Sequence, residues 1–424
     1  MNKIKDIPLE GASVILDSST EDGSPQEKSF DWLSAGQFAF SLIAILALLL
    51  ISFISFFAIL LGGVSSELGV VDNQLLSSLL FTAGLGFAGV LLIPSVFYSG
   101  RKLFGDHPPS FPNGDRLIWL GYLFPIPILF GYLIQQGSSW GQILLPMAHV
   151  FANGASIIWV LSLARMKFPP KSAQRNWGAF GTGLTLTPAI TFVIEILLLV
   201  VIGVFWLVMI QYRPDLESDI QYLLNFVNES TAQSEISARW AGEFVARPEV
   251  SGTVFLYFSL LIPIVEELLK PLAVYFLLGR KLKPWEGFLI GATAGAGYAL
   301  FENLTIGAAA DTWTFVMISR LGTTAVHILT TGLVGWGLAS AWTEKKYGRL
   351  AGSFIAAVAL HGVWNGLNIF NAIADFSAFQ EQISPFLVNF GSYAPAGMIL
   401  LALGSLLGLI RANVLLRRAI IAQD

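Results

Sequence analysis

Runs of about twenty apolar residues recur along this chain, each long enough to cross a ~30 Å hydrocarbon core as a helix. Ten are read: from Phe38 to Leu61, Leu79 to Tyr98, Leu117 to Ile134, Ile143 to Leu163, Thr182 to Ile210, Gly252 to Leu278, Gly287 to Ala309, Phe315 to Ala341, Gly352 to Phe370 and Gly391 to Ile410. Lipid offers no water to satisfy backbone N–H and C=O groups, so segments of this length must close their hydrogen bonds internally, as helices. The expected fold class is all-α, a polytopic membrane helical bundle of about ten transmembrane helices. Of 424 residues, 54% are hydrophobic and 12% charged, against about 25% charged in soluble domains. A soluble globular enzyme is excluded. The chain has no cysteine, which removes disulfides, thiolate zinc sites and a cysteine nucleophile. A net charge of −4 without a basic tract argues against nucleic acid as a partner.

Basic residues set the expected orientation, because lysine and arginine in short loops stay on the cytoplasmic side. The N-terminal tail with Lys3, Lys5 and Lys28, four alternate connections and the C-terminal tail with Arg411, Arg417 and Arg418 hold nineteen of the 24 Lys and Arg residues. The opposite connections hold three, Arg213, Arg239 and Arg247. Both termini are expected in the cytoplasm of a multi-pass protein of the cell membrane. A polar leader of more than thirty residues precedes the first run, which is too long for a signal peptide and is expected to remain in the mature protein.

The expected organisation has five parts. Residues 1–36 read as a disordered cytoplasmic tail. Residues 37–210 form a five-helix N-terminal membrane region. Residues 211–250 read as an extracytoplasmic amphipathic segment resting on the outer rim. Residues 251–371 form the functional membrane core, and residues 372–424 the last span and a cytoplasmic tail.

Ionisable side chains inside a membrane are costly and mark function by default. The first five spans contain only His149 and Glu195, whose depths differ by ~12 Å and which are read as structural. Spans six to nine contain Glu266, Glu267, Lys270, Glu302, Arg320, His327 and His361. At ~1.5 Å per residue Glu266, Glu302, His327, His361 and Asn365 all fall ~15–24 Å from the cytoplasmic face. Four helices thus bring acids and imidazoles to one layer. Pro263 and Pro271 flank the acidic pair and remove intrahelical bonds, as expected of a helix lining a cavity. Glu266 and Lys270, at i and i+4, share a face on which the lysine holds the carboxylate ionised. Gly287, Gly291 and Gly295 form a small-residue stripe for close helix approach. Arg320, near the outer end of its span, is read as snorkelling or pairing with an acid there, and His107 as a loop residue.

None of the four histidines lies in an HExxH or HxxEH helix, so a zinc site would have to be assembled across helices. Two histidines and one glutamate would supply its three protein ligands and leave a water as the fourth. The same groups also suit a metal-free route, a glutamate activating water and His361 with Asn365 stabilising the oxyanion.

Glu266-Glu267-Leu-Leu-Lys270 matches an EExxK motif. Tyr298-Ala-Leu-Phe-Glu302-Asn303 is similar to a second motif, His327 with Thr331 to an HxxxT motif, and His361 to Asn365 to a final HxxxN/D motif. In this order the four resemble the PrsW family of intramembrane metalloproteases, itself related in pattern to CAAX prenyl proteases and bacteriocin-processing enzymes. The resemblance implies hydrolysis of peptide bonds in membrane-anchored protein substrates, typified by anti-sigma factors. It implies that Glu266 or Glu267 activates water, that Glu302, His327 and His361 bind a metal such as zinc or orient the water, and that Asn365 assists the oxyanion. The rival class is an ion-coupled transporter, or a non-catalytic membrane scaffold, using the same buried Glu/His cluster. The two halves differ sharply in polar content, which argues against a carrier built from two repeats.

Overall fold

The computed structural model describes residues 31–65, 73–106, 109–110, 114–137, 141–213, 216–218, 221, 246–306, 311–375 and 385–422. The expected disordered tail lies outside them except for its last residues, as do His107 and most of the amphipathic segment at 211–250. The described residues are almost wholly helical and form no strand, the one β-type pairing being an isolated bridge between Ser110 and Ser172.

The first half contains α1 (Trp32–Ser65), α2 (Asn73–Leu91), α3 (Ile93–Leu103), α4 (Gly114–Gly121), α5 (Pro125–Gln135), α6 (Leu145–Arg165), α7 (Ala173–Gly181) and α8 (Thr187–Ile210). The second half contains α9 (Pro248–Leu256), α10 (Ile262–Leu269), α11 (Leu272–Tyr275), α12 (Pro284–Thr305), α13 (Trp313–Glu344), α14 (Tyr347–Asp375), α15 (Pro385–Ser392) and α16 (Ala394–Ile421). Proline explains most of the breaks inside continuous spans. Pro94 starts α3, Pro125 starts α5, and Pro271 divides α10 from α11, each ring removing a helical donor.

Among the described residues, eight helical stretches are long and apolar enough to cross a membrane. Two further long helices, α12 with 22 residues and α13 with 32, coincide with the seventh and eighth expected spans. They are rich in Gly, Ala and Thr because they pack against protein. Nearly every side chain of α12 from Gly287 to Leu300 is buried, as is α13 from Gly322 to Gly332. The more apolar helices surround this pair and turn large side chains outward, among them Phe53, Phe192, Leu197 and Leu400. An apolar exterior around a polar centre is the arrangement of an integral multi-pass membrane protein.

The glycine stripe sets the central contact. A Cβ on Gly287, Gly291 or Gly295 would lie 2.4, 2.4 and 2.6 Å from the carbonyl oxygens of Gly335, Thr331 and His327. The stripe therefore lays α12 directly on the helix that carries His327. On its other side a Cβ on Gly183 would lie 1.9 Å from the carbonyl oxygen of Ala294. Gly183→Ala is expected to destabilise the protein by about 1–3 kcal/mol, the usual cost of overpacking, measured as a lowered Tm in detergent.

At the start of α1, Asp31 pairs with Lys102 at 2.8 Å and Arg280 at 3.5 Å and accepts from the Ser34 backbone N–H at 3.2 Å. Burial opposes its ionisation, but Lys102 and Ser34 prevail and hold the carboxyl below the usual carboxylate range. A depressed folded value stabilises the protein above the unfolded pKa near 4 and loses that contribution as pH falls toward the folded value. Asp31→Asn is accordingly expected to lower Tm at pH 7 and to flatten its decline below pH ~4, read from melting curves across pH.

Candidate active site

Glu266 and Glu267 lie on α10, held between two irregularities. Before it, a π-type turn at Tyr257–Leu261 bonds the Ile262 N–H to the Tyr257 carbonyl, and Pro263 has no N–H to offer. The Phe258 carbonyl takes its proton from the Asn365 side chain instead, Nδ2 to O at 2.9 Å. After it, Pro271 ends the helix. Gly362, next to His361, lets α14 close on this turn, for a Cβ there would lie 2.3 Å from the Ser259 carbonyl oxygen.

Lys270 stands at the centre of the cluster, fully buried. Its Nζ is 2.8 Å from Glu266 Oε2, 2.8 Å from Glu267 Oε1, 2.8 Å from His327 Nδ1 and 3.4 Å from His361 Nδ1. It also lies 4.7 Å from the centre of the Tyr298 ring, a cation–π contact. The two imidazoles meet edge to face at 5.0 Å.

The partners of each imidazole fix its proton. His327 Nε2 is 2.7 Å from Glu302 Oε2, and Arg320 donates to Glu302 Oε1 at 2.8 Å. The network assigns the proton to Nε2, leaving the Nδ1 lone pair facing the Lys270 ammonium. His361 Nδ1 is 3.1 Å from Glu267 Oε1, which assigns its proton to Nδ1 and leaves the Nε2 lone pair 3.8 Å from Glu266 Oε2. Glu267 Oε2 is buried without a hydrogen-bond partner.

Glu266, Glu267, Lys270, His327 and His361 are thus brought together from α10, its cap, α13 and α14. Two expected members sit differently. Among the described residues, the acid and imidazole atoms that converge within 4.8 Å of one another belong to Glu266, His327 and His361. Glu302 is absent from that set: both its oxygens are engaged, one with His327 on the side away from Lys270 and one with Arg320. Asn365 spends its amide N–H on the Phe258 carbonyl, because the turn and Pro263 leave that oxygen without a helical donor. Asn365→Ala is expected to cost ~1 kcal/mol of stability by orphaning it, measured by thermal melting.

Arg320 pairs with an acid, as its position suggested, and that acid is Glu302. Beside it Asn303 donates to Thr324 at 3.0 Å. His149 remains with Asn153 on α6. For Glu195, the Tyr257 hydroxyl donates to its backbone carbonyl at 3.1 Å.

The fold defines the class: a polytopic membrane protein with acids and imidazoles gathered at its buried centre. The family profile described as PrsW family intramembrane metalloprotease matches residues 223–392, so this part of the chain is similar to that family. The match contains every member of the cluster but leaves α1 to α8 outside. No curated protein and no solved structure matches the chain.

Proposed function

We propose that the chain is an intramembrane endopeptidase that hydrolyses peptide bonds of membrane-anchored protein substrates, of the kind represented by anti-sigma factors. The observation that supports it best is the convergence of Glu266, Glu267, His327 and His361 around Lys270. Both termini lie in the cytoplasm and the chain crosses the membrane ten times, α12 and α13 included, on the strength of the basic-residue asymmetry.

The donor set suits a catalytic zinc, which takes two imidazoles and a carboxylate and keeps one position for water. Atoms ~2.1 Å from one ion lie at most ~4.2 Å apart; Glu266, His327 and His361 offer atoms within 4.8 Å of one another, and the Lys270 ammonium, 2.8 Å from both Glu266 and His327, would have to leave the position between them. Glu302 is the carboxylate behind His327, holding its tautomer, and Arg320 holds Glu302. A bound metal would polarise the scissile carbonyl and acidify a water.

The chain's own groups supply the proton path. Glu267, paired with Lys270 and His361, receives a water proton at its Oε2, which has no other partner. The hydroxide oxygen bonds to the scissile carbonyl carbon, the C–N bond breaks, and the proton passes to the leaving amine, so that water is consumed and no redox partner is needed. Asn365 steadies the broken helix that presents the acids.

The test is to incubate purified protein with a panel of single-span membrane proteins, with and without a chelator. Cleavage that stops on chelation and returns with zinc is expected. Cleavage that survives chelation yet falls with Glu266→Gln would make Glu266 the base of a metal-free reaction. No cleavage by protein shown to be folded, together with substrate-dependent current or uptake, would favour a carrier.

A further inference from the structure

A cavity is walled by the ends of four candidate spans. It has a volume of about 430 Å³, within the range of small-molecule sites. Trp32 opens one wall, Lys102 stands near the end of a second span, Arg175 begins a third, and Arg280 follows the fourth. Span ends lie where hydrocarbon gives way to headgroups, and Trp32, 79% exposed, is the residue type that marks that boundary.

The lining changes with depth. At the mouth are three cations, Lys102, Arg175 and Arg280, and no acid lines the cavity among the described residues. One carboxylate adjoins it, Asp31, which draws Lys102 and Arg280 together and leaves positive charge in excess. Below them Gln37 and Gln174 are tied into a buried amide network with Ser95 and Ser34. Deeper still the wall is apolar, with Phe40 eight residues into α1 and Leu186 eleven residues beyond Arg175, or ~12 and ~16 Å along their helices. Phe276 and Leu277 complete that wall just after α11.

Cations at the interface, a polar belt and an apolar slot follow the order of charges along a phospholipid. We propose that this cavity binds an anionic phospholipid, its phosphate between Lys102, Arg175 and Arg280 and an acyl chain along Phe40, Leu186 and Phe276. Basic pockets between membrane helices recognise such headgroups, each cation near the surface contributing ~1 kcal/mol. The site does not rest on the peptidase reading. It does adjoin that centre, because the wall formed by Ala273, Phe276 and Leu277 begins three residues after Lys270.

Delipidated full-length protein, offered equal amounts of phosphatidylglycerol and phosphatidylcholine, is examined by native mass spectrometry. Preferential retention of one phosphatidylglycerol is expected, weakened about 5-fold for each cation removed in Arg175→Gln and Arg280→Gln. Leu33→Trp narrows the same cavity with its charges intact and is expected to reduce retention too, so the answer does not depend on the arginine variants folding. Lys281→Gln with Lys283→Gln, on the lining of a different cavity, is expected to change nothing. Equal retention of the two lipids, or indifference to both the arginine variants and Leu33→Trp, overturns the proposal. Displacement of the lipid by millimolar inorganic phosphate alone would also overturn it, making the site one for a free anion.

Discussion

Glu266→Gln is expected to reduce cleavage of a single-span substrate by more than the ~10–100-fold typical of the outer partners of a metal ligand, because it removes the carboxylate of the proposed donor set, while folding is preserved. The substitution keeps the shape of the side chain and removes one charge. In the native protein its Oε2 faces Lys270 at 2.8 Å and His361 Nε2 at 3.8 Å, so the loss falls on the carboxylate that faces the lone pair of His361. Removing a charge beside a cation that still has Glu267 leaves the pair Lys270–Glu267 in place at 2.8 Å. Circular dichroism and Tm should therefore stay near wild type. Glu302→Gln is expected to have a smaller effect, since an amide oxygen still accepts from His327 or Arg320, and outer partners of a metal-binding histidine typically contribute 10–100-fold.

Lys270→Met is the substitution expected to cost most in stability. It leaves two buried carboxylates without their common cation, and breaking a buried ion pair from one side costs about 3–5 kcal/mol. Tm should fall sharply in chelator. Zinc should then recover much of the loss, because a divalent ion can occupy the centre that the ammonium holds, and whatever binds only the folded state raises its stability. Glu267→Gln in the same chain should also restore stability in part, without metal, by removing one of the stranded charges. A Lys270→Met protein that melts like wild type in chelator would mean that the ammonium does not neutralise the acids.

Much of the site's skeleton is legible in the sequence because it is local. The spacing of Glu266 and Lys270 gives their ion pair, the prolines give the breaks around α10, and the glycine stripe gives the approach of α12 to the His327 helix. What depends on helix rotation is not. Depth puts Asn365 level with Glu266, but its amide serves a backbone carbonyl released by a π-type turn that no residue pattern announces. Depth likewise groups Glu302 with the two histidines, whereas it lies behind one of them. Arg165 looks like a loop cation and is instead 4% exposed, donating to Asn176 and Thr293 between α6, α7 and α12. The mean hydropathy of α12 and α13 understates them, because helices wrapped by protein can replace leucine with glycine and alanine.

The unity of the centre is tested most directly by the cleavage rates of Glu266→Gln, His361→Gln and the double variant on one membrane-anchored substrate. Residues that act as a unit are grossly non-additive. The double variant is therefore expected to be no slower than the worse of the two single ones. Losses that multiply, or a His361→Gln protein that cleaves at the wild-type rate, would contradict a shared catalytic centre on α10, α13 and α14.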